Sequence, residues 1–275
     1  MPRLALRSLA LGYLGLLLVL PLGMVGWRTL EHGPGPVWDA LSRPAFIHAL
    51  WLTILITLIA VPANTIFGVV CALAIVRRGS ARGNSLLNAV IGLPLALSPV
   101  VVGLALVLVY GRNGWLGGPL ADAGVRVIFA LPSMVLATIF VSLPFVVREV
   151  VPVLRELGDE QEEAAWTLGA SRFATFWRVT LPAIRWGVAY GVVLTTARSL
   201  GEFGAVSIVS GRLAGRTETL TLHVQERFEA FDQVAAYTAS VVLALLAVLT
   251  LLAMSLFGRE EPGGDRRPRD HQAVR

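Results

Sequence analysis

The sequence predicts an all-α integral membrane protein with six transmembrane helices. Three observations carry that reading. Of 275 residues, 55% are hydrophobic and 15% charged, where a soluble domain carries about 25% charged residues, and mean hydropathy is +0.71. Six stretches approach the roughly 20 mostly apolar residues that a helix needs to cross the hydrocarbon core. The arginines, finally, are spread unevenly over the connections between those stretches.

The first span, residues 4–27, follows Arg3 and Arg7, as a secretory leader would. Its apolar run is longer than a leader's core and no clear A-x-A site follows, so it is read as a retained helix. The second, residues 47–76, is long enough to tilt or to protrude from the bilayer. It contains Pro62 and the lone cysteine, Cys71, read as a small buried hydrophobe. The third, residues 86–110, contains Pro94 and Pro99, tolerated where neighbouring helices re-satisfy freed backbone groups. Ser98-Pro99 is expected to kink this span, in preference to exposing N–H groups to an anion. The fourth and sixth spans, residues 127–147 and 234–257, are mostly apolar and carry no charged residue. The fifth, residues 187–209, holds Arg198 and Glu202. Residues 1–258 therefore form one transmembrane domain. Residues 259–275 are rich in Pro, Gly and Arg without apolar periodicity, which predicts a disordered tail.

Placing the N-terminus inside puts Arg3, Arg7, Arg77, Arg78, Arg82, five arginines of residues 148–186 and five of the tail on the inner face. Arg28, Arg43, Arg112, Arg126, Arg212, Arg216 and Arg227 fall outside. The bias is about two to one inward and places both termini in the cytoplasm. The last outer connection is offset by Glu218, Glu226, Glu229 and Asp232. Trp38 and Trp115 read as interfacial anchors.

Several chemistries are excluded. The chain has no lysine, so it has neither the phosphate-binding Lys of a Walker A loop nor a Schiff-base nucleophile. One cysteine and the scattered His32, His48, His223 and His271 form no metal-ligand spacing. The spans hold no nucleophile with a base, as a membrane-embedded enzyme requires. A secondary transporter predicts inverted repeats or an acidic relay; no repeat is clear, and Glu202 is the one acid of that kind.

The informative connection is residues 148–186, the longest on the inner side. Glu160 to Leu168 reads as a short helix, acid-rich at its start where the helix dipole favours negative charge. Gly169 fits the position past a helix end, where a left-handed residue is least costly. Ser171 is placed to cap a second helix through Phe173, Phe176, Trp177 and Val179, and Pro182 marks another break. The expected shape is a knob with a small-residue face, Ala164 and Ala165, and an aromatic face that supplies anchors of the type found in binding hot spots.

Arg198 and Glu202 are four apart, so on a helix they share a face and pair. Charges at membrane depth face a cavity or the bundle interior. Either a pore-lining pair or a pair that orients helices fits. Thr195, Thr196 and Ser199 flank it and are suited to donate to anion oxygens or to bond backbone and a neighbouring helix.

Glu163-Ala164-Ala165, Gly169 and Val179-Thr180-Leu181-Pro182 at this spacing resemble the cytoplasmic "EAA loop" of bacterial ABC importer permeases. Phe129-Ala130-Leu131-Pro132, Phe145-Val146-Val147-Arg148-Glu149 and Ala197 to Val206 look like sulfate and molybdate permeases. Met134 to Val141 with Leu222-His223-Val224 is most similar to the CysW-type permease of sulfate/thiosulfate importers. The likeness covers nearly the whole chain, the tail excepted.

The resemblance implies the type I (MetI-like) importer permease fold in the bacterial inner membrane. It implies an ATPase-docking loop at residues 148–186, with Glu163, Ala164, Ala165, Gly169, Phe173, Phe176, Leu181 and Pro182 as its site residues. Arg198, Ser199 and Glu202 are the candidate translocation residues. The implied partners are a second homologous permease, two cytoplasmic ATPase subunits and a periplasmic anion-binding protein. The implied cargo is sulfate or thiosulfate, with molybdate or another oxyanion as the alternative. ATP hydrolysis belongs to a separate subunit, so this chain is expected to be no enzyme and to need no cofactor.

Overall fold

A computed structural model describes residues 3–77 and 81–257. Among the described residues every regular element is helical. The first span is α1 (Arg3–Leu14), a π turn (Gly15–Val19) and α2 (Leu20–Leu30) in unbroken succession. Gly33, at φ 85°, turns the chain into the short α3 (Pro34–Ser42) and then α4 (Pro44–Arg77), which runs 34 residues through Pro62 without a break. Next come α5 (Ala81–Ala96), α6 (Pro99–Tyr110), α7 (Gly117–Asp122) and α8 (Leu131–Leu157). The long inner connection contains α9 (Glu160–Thr167), α10 (Arg172–Thr175) and a second π turn (Phe176–Thr180). The chain ends in α11 (Leu181–Leu200), α12 (Gly204–Val209), α13 (Leu220–Glu229) and α14 (Gln233–Phe257).

Helices α4, α8 and α11 form the centre of the bundle. Val146 of α8 is fully buried between Gly68 of α4 and Gly191 of α11. A Cβ at Gly191 would lie 2.8 Å from the Val146 Cα, and one at Gly68 would lie 2.6 Å from the Val146 Cβ. Small residues thus set the helix spacing, as expected where lipid removes the hydrophobic drive for association. One apolar cluster surrounds this seam with Val69, Ala72, Ile75, Val150, Leu154 and Ile184. A second joins α6, α8 and α12 through Val102, Met134, Val141, Val206 and Val209.

Polar side chains are also buried between these helices, among the apolar clusters. Asn64 is fully buried and donates to Ile139 O at 3.1 Å and Ser142 Oγ at 2.8 Å. Thr53, Thr57 and Thr138 donate their hydroxyls to the carbonyl one turn back, and Thr53 Oγ1 also accepts Leu220 N–H of α13 at 2.8 Å. Leu58, Ile66, Phe67 and Val70 of α4 point outward, together with most of α2 and with Leu245, Val248, Leu249, Leu251 and Leu252 of α14. This inside-out distribution suits a helix bundle solvated by lipid.

Two expected spans differ. Residues 86–110 are not one kinked helix: α5 and α6 meet at 108° across Leu97-Ser98. Pro94 removes one backbone donor, and Pro99 forces Ser98 into extended geometry, ψ 134°, where a helix cannot continue. Residues 187–209 are likewise divided, α11 ending at Leu200 and α12 beginning at Gly204. Among the described residues four helices are long and apolar enough to cross a membrane, or five with the bent pair as one. The missing sixth is α11, whose Arg185, Trp186, Thr195, Thr196, Arg198 and Ser199 dilute its hydropathy. The fourth helix starts later and extends ten residues further than its apolar stretch, to Leu157. The predicted tail lies outside the described residues.

Candidate functional site

The knob is built largely as the sequence implies. Helix α9 ends in a two-bond cap: Ala170 N–H donates to Ala165 O and Gly169 N–H to Trp166 O, both at 3.0 Å. That cap requires a left-handed residue, and Gly169 supplies it at φ 85°. Ser171 is the N-cap of α10, its Oγ accepting from Ala174 N–H at 3.2 Å. Pro182, expected to break the helix, does not. The chain stays helical from Arg172 to Leu200, and the π turn at Phe176–Thr180 absorbs the proline. In that turn Leu181 N–H reaches back five residues to Phe176 O. The wider register removes the clash of the ring with a carbonyl one turn earlier.

The exposed surface of the knob is apolar. Leu168 is 88% and Phe173 74% exposed, and Trp166 and Trp177 are about half exposed. Trp177 packs edge-on against Phe173 and Phe176 at 6.1 and 5.5 Å. Glu163 and Ala164 also face outward, whereas Ala165, Phe176 and Leu181 are half-buried and Pro182 is exposed. Trp166 and Leu168 escaped the sequence reading, which treated them as filler between Ala165 and Gly169.

Glu162 was missed too. It is the one buried residue of α9. Its Oε1 accepts from Arg77 Nη2 at 2.9 Å and from Thr180 Oγ1 at 2.6 Å. Arg77 Nη1 also donates to Gly158 O at 3.1 Å and pairs with the Asp159 carboxylate. One guanidinium at the end of α4 therefore holds the whole entry to α9. No local signal marks this contact, because its partners are 85 positions apart.

At the other end of α11, Arg198 Nη1 lies 2.8 Å from Glu202 Oε2, as the four-residue spacing predicts. The shared helix does not extend that far: Glu202 sits in the turn after Leu200. Its Oε1 accepts Ala205 N–H at 2.9 Å, so the same carboxylate caps α12 and tethers Arg198. The Arg198 side chain is 31% exposed and that of Glu202 2%. Ser199 is buried and donates at 3.4 Å to Ser142, within the Asn64 network. Thr196 bonds Val192 O of its own helix at 2.8 Å.

Glu218, in the connection before α13, and His223, on α13, are fully buried, Oε1 to Nδ1 at 2.9 Å, with Phe46 edge-on to the imidazole. Burial pushes the Glu218 carboxyl up. Hydrogen bonds from His223 and Glu226 and the charges of His223 and Arg227 outweigh it, leaving the group below its usual range. Glu226 moves the opposite way, first through burial and then through Glu218, against the pull of Arg227.

Residues 40–260 match the family described as binding-protein-dependent transport system inner membrane component. The chain is 49% identical to the sulfate transport system permease protein CysW of Synechocystis sp. over 98% of its own length and 95% of that protein. It is 38% identical to the permease protein CysT of Salmonella typhimurium, over 90% and 91%. The fold matches a chain of a bacterial alginate ABC transporter solved with its periplasmic protein, TM-score 0.76, at 17% identity over 93% of both chains.

Proposed function

Because this chain belongs to the binding-protein-dependent transport system inner membrane component family, we propose that it is the CysW-type permease subunit of a sulfate/thiosulfate ABC importer. The observation that carries the substrate is the identity of 49% to a sulfate permease along nearly the whole of both chains. Its permease partner is a CysT-type subunit, since the 38% likeness to such a chain indicates two related but different halves. A periplasmic anion-binding protein delivers sulfate from outside, and two ATPase subunits bind from the cytoplasm, where both termini lie.

The knob at residues 158–182 is the ATPase dock. Its exposed Leu168, Phe173 and Trp177 are anchors for a groove on the ATPase, and Ala164 permits close approach. Glu163 faces outward beside them for a basic residue of the partner. The rest of the 148–186 connection is the base that carries this knob. Closure of the ATPase dimer moves the knob and rocks the attached helices. Arg198 presents a partly exposed cation to the translocation path while Glu202 neutralises part of its charge. A site that only partly attracts the dianion lets it leave, which conduction requires.

The test is labelled sulfate uptake in a strain lacking its own sulfate permeases, complemented with this chain, its neighbouring permease and the ATPase. Uptake that needs all three and is blocked by thiosulfate supports the reading. Molybdate uptake without sulfate uptake would replace the substrate, and uptake without the ATPase would overturn the importer assignment.

A further inference from the structure

We infer that Arg77, Glu162 and Thr180 form a strut that relays displacement of the knob into α4 and α11, making Arg77 a positioning residue for the coupling of transport to ATP hydrolysis. The inference rests on reading the knob as the ATPase dock.

Little else holds α9 to the body. Its only buried side chain is Glu162, and its apolar Trp166 is exposed. At both ends the chain passes through a glycine at positive φ, Gly158 at 65° and Gly169 at 85°. A Cβ built on either would meet nothing within 4 Å, so neither junction is wedged against the bundle. Apolar contact is tolerant of sliding, but the contact here is directional. Arg77 donates from two nitrogens to three successive anchor points, Gly158 O, Asp159 and Glu162. Arginine's planar fork suits such simultaneous recognition. The pair is mostly shielded, 20% exposed for Arg77 and 10% for Glu162, which strengthens charge-assisted bonds.

The strut ends on the helices that matter. Arg77 is the last residue of α4, and Thr180 closes the π turn that feeds α11. Both helices pack on α8 around Val146. A push on the exposed face of α9 therefore reaches two sides of the central seam at once. Without the strut, the knob pulls only along its covalent ends.

The assay uses the assembled importer in proteoliposomes, with sulfate uptake, binding-protein-stimulated ATPase rate and co-purification of the ATPase read together. Arg77→Gln and Glu162→Gln are expected to retain the ATPase while uptake and stimulation fall about tenfold, the scale of perturbation found at coupling residues outside both ligand sites. The exchange Arg77→Glu with Glu162→Arg is expected to recover part of both. Parent-like uptake and stimulation in Arg77→Gln would overturn the strut. Loss of the ATPase from that variant would also overturn it, because the contact would then shape the dock and relay nothing. If Arg77→Gln does not accumulate, Arg77→Lys replaces it: reduced stimulation with the ATPase bound supports the strut, and parent-like stimulation overturns it. Leu168→Asp and Phe173→Asp test the docking reading separately. If they retain the ATPase as the parent does, the dock lies elsewhere, whatever Arg77→Gln does.

Discussion

Replacing Gly191 with alanine isolates the close approach on which the central helices depend. Two effects of opposite sign act. Alanine favours a helix over glycine by about 0.8–1 kcal/mol. Against this, the new Cβ would lie 2.8 Å from Val146 Cα and 3.4 Å from Val146 Cβ. The first of these atoms is backbone, so relief requires that α8 and α11 part. Overpacking of this kind costs about 1–3 kcal/mol. Gly92 of α5 supplies the control, because a Cβ there meets nothing within 4 Å. Gly92→Ala receives the propensity gain alone, so the difference between the variants is the clash. Thermal unfolding of the purified chain in detergent should place Gly191→Ala below Gly92→Ala by about 2–4 °C for each kcal/mol. Equal melting temperatures would refute the claim that Gly191 sets the spacing.

Other predictions follow from single contacts. Gly169→Val faces no neighbour within 4 Å but is held at φ 85°, so left-handed strain of about 1–2 kcal/mol should distort the knob; sulfate uptake per ATP hydrolysed should fall, and a parent-like ratio would count against a role in coupling. His223→Leu removes the imidazole bonded to the buried Glu218 Oε1, and leaving a buried acceptor unsatisfied costs about 1–3 kcal/mol; the Glu218→Gln/His223→Leu double variant should melt higher than His223→Leu, and the reverse order would refute the pairing. Asp232 is pushed up by burial, but the hydrogen bonds from Arg43 and Ala235 N–H and the charges of Arg43 and Arg227 hold it below its usual range. Its folded value therefore lies below its unfolded one. The stabilisation is present above the ordinary aspartate range and is lost as pH falls through the depressed value. The pair with Arg43 is partly exposed, so the amount is about 0.2–1 kcal/mol. Asp232→Asn should lower the melting temperature near neutrality and have no effect at the acid end; an equal effect at both ends would refute it.

What the sequence conveyed was local. Hydropathy located the apolar stretches, and Gly169 and Ser171 announced a turn and a cap because both depend on neighbours within a few positions. The Arg198–Glu202 pair was legible from spacing, although its carboxylate lies past the helix end. Pro99 announced an interruption, but not a bend of 108°, since the angle depends on how α6 packs against α12. Pro182 misled, because a π turn is an adjustment of hydrogen-bond register that residue identity does not specify. Glu162 was hidden for a different reason. An acid at the start of a helix has a sufficient local explanation in the dipole, which masks the partner arriving from α4.

The unbroken passage through Pro182 changes how the proposed machine works. A break there would leave the knob on a joint, free to move without moving the bundle. Instead one helical rod joins Arg172 to Leu200, about 44 Å at 1.5 Å per residue. The exposed Phe173 and Trp177 stand at one end, and Arg198 stands at the other beside the turn that carries Glu202. Gly187 and Gly191 lie between, close against α8, where they form a fulcrum. A displacement of the knob is then a tilt of the rod about that contact, and Arg198 moves in the opposite direction. Glu202 resists, because its other oxygen is committed to the cap of α12. The ion pair is thus the point at which tilting of α11 either drags α12 along or pulls Arg198 free of its counter-charge. In the proposed importer both outcomes alter the charge presented to a dianion, so α11, braced at its foot by the Arg77–Glu162–Thr180 contact, carries the motion of the knob to the path.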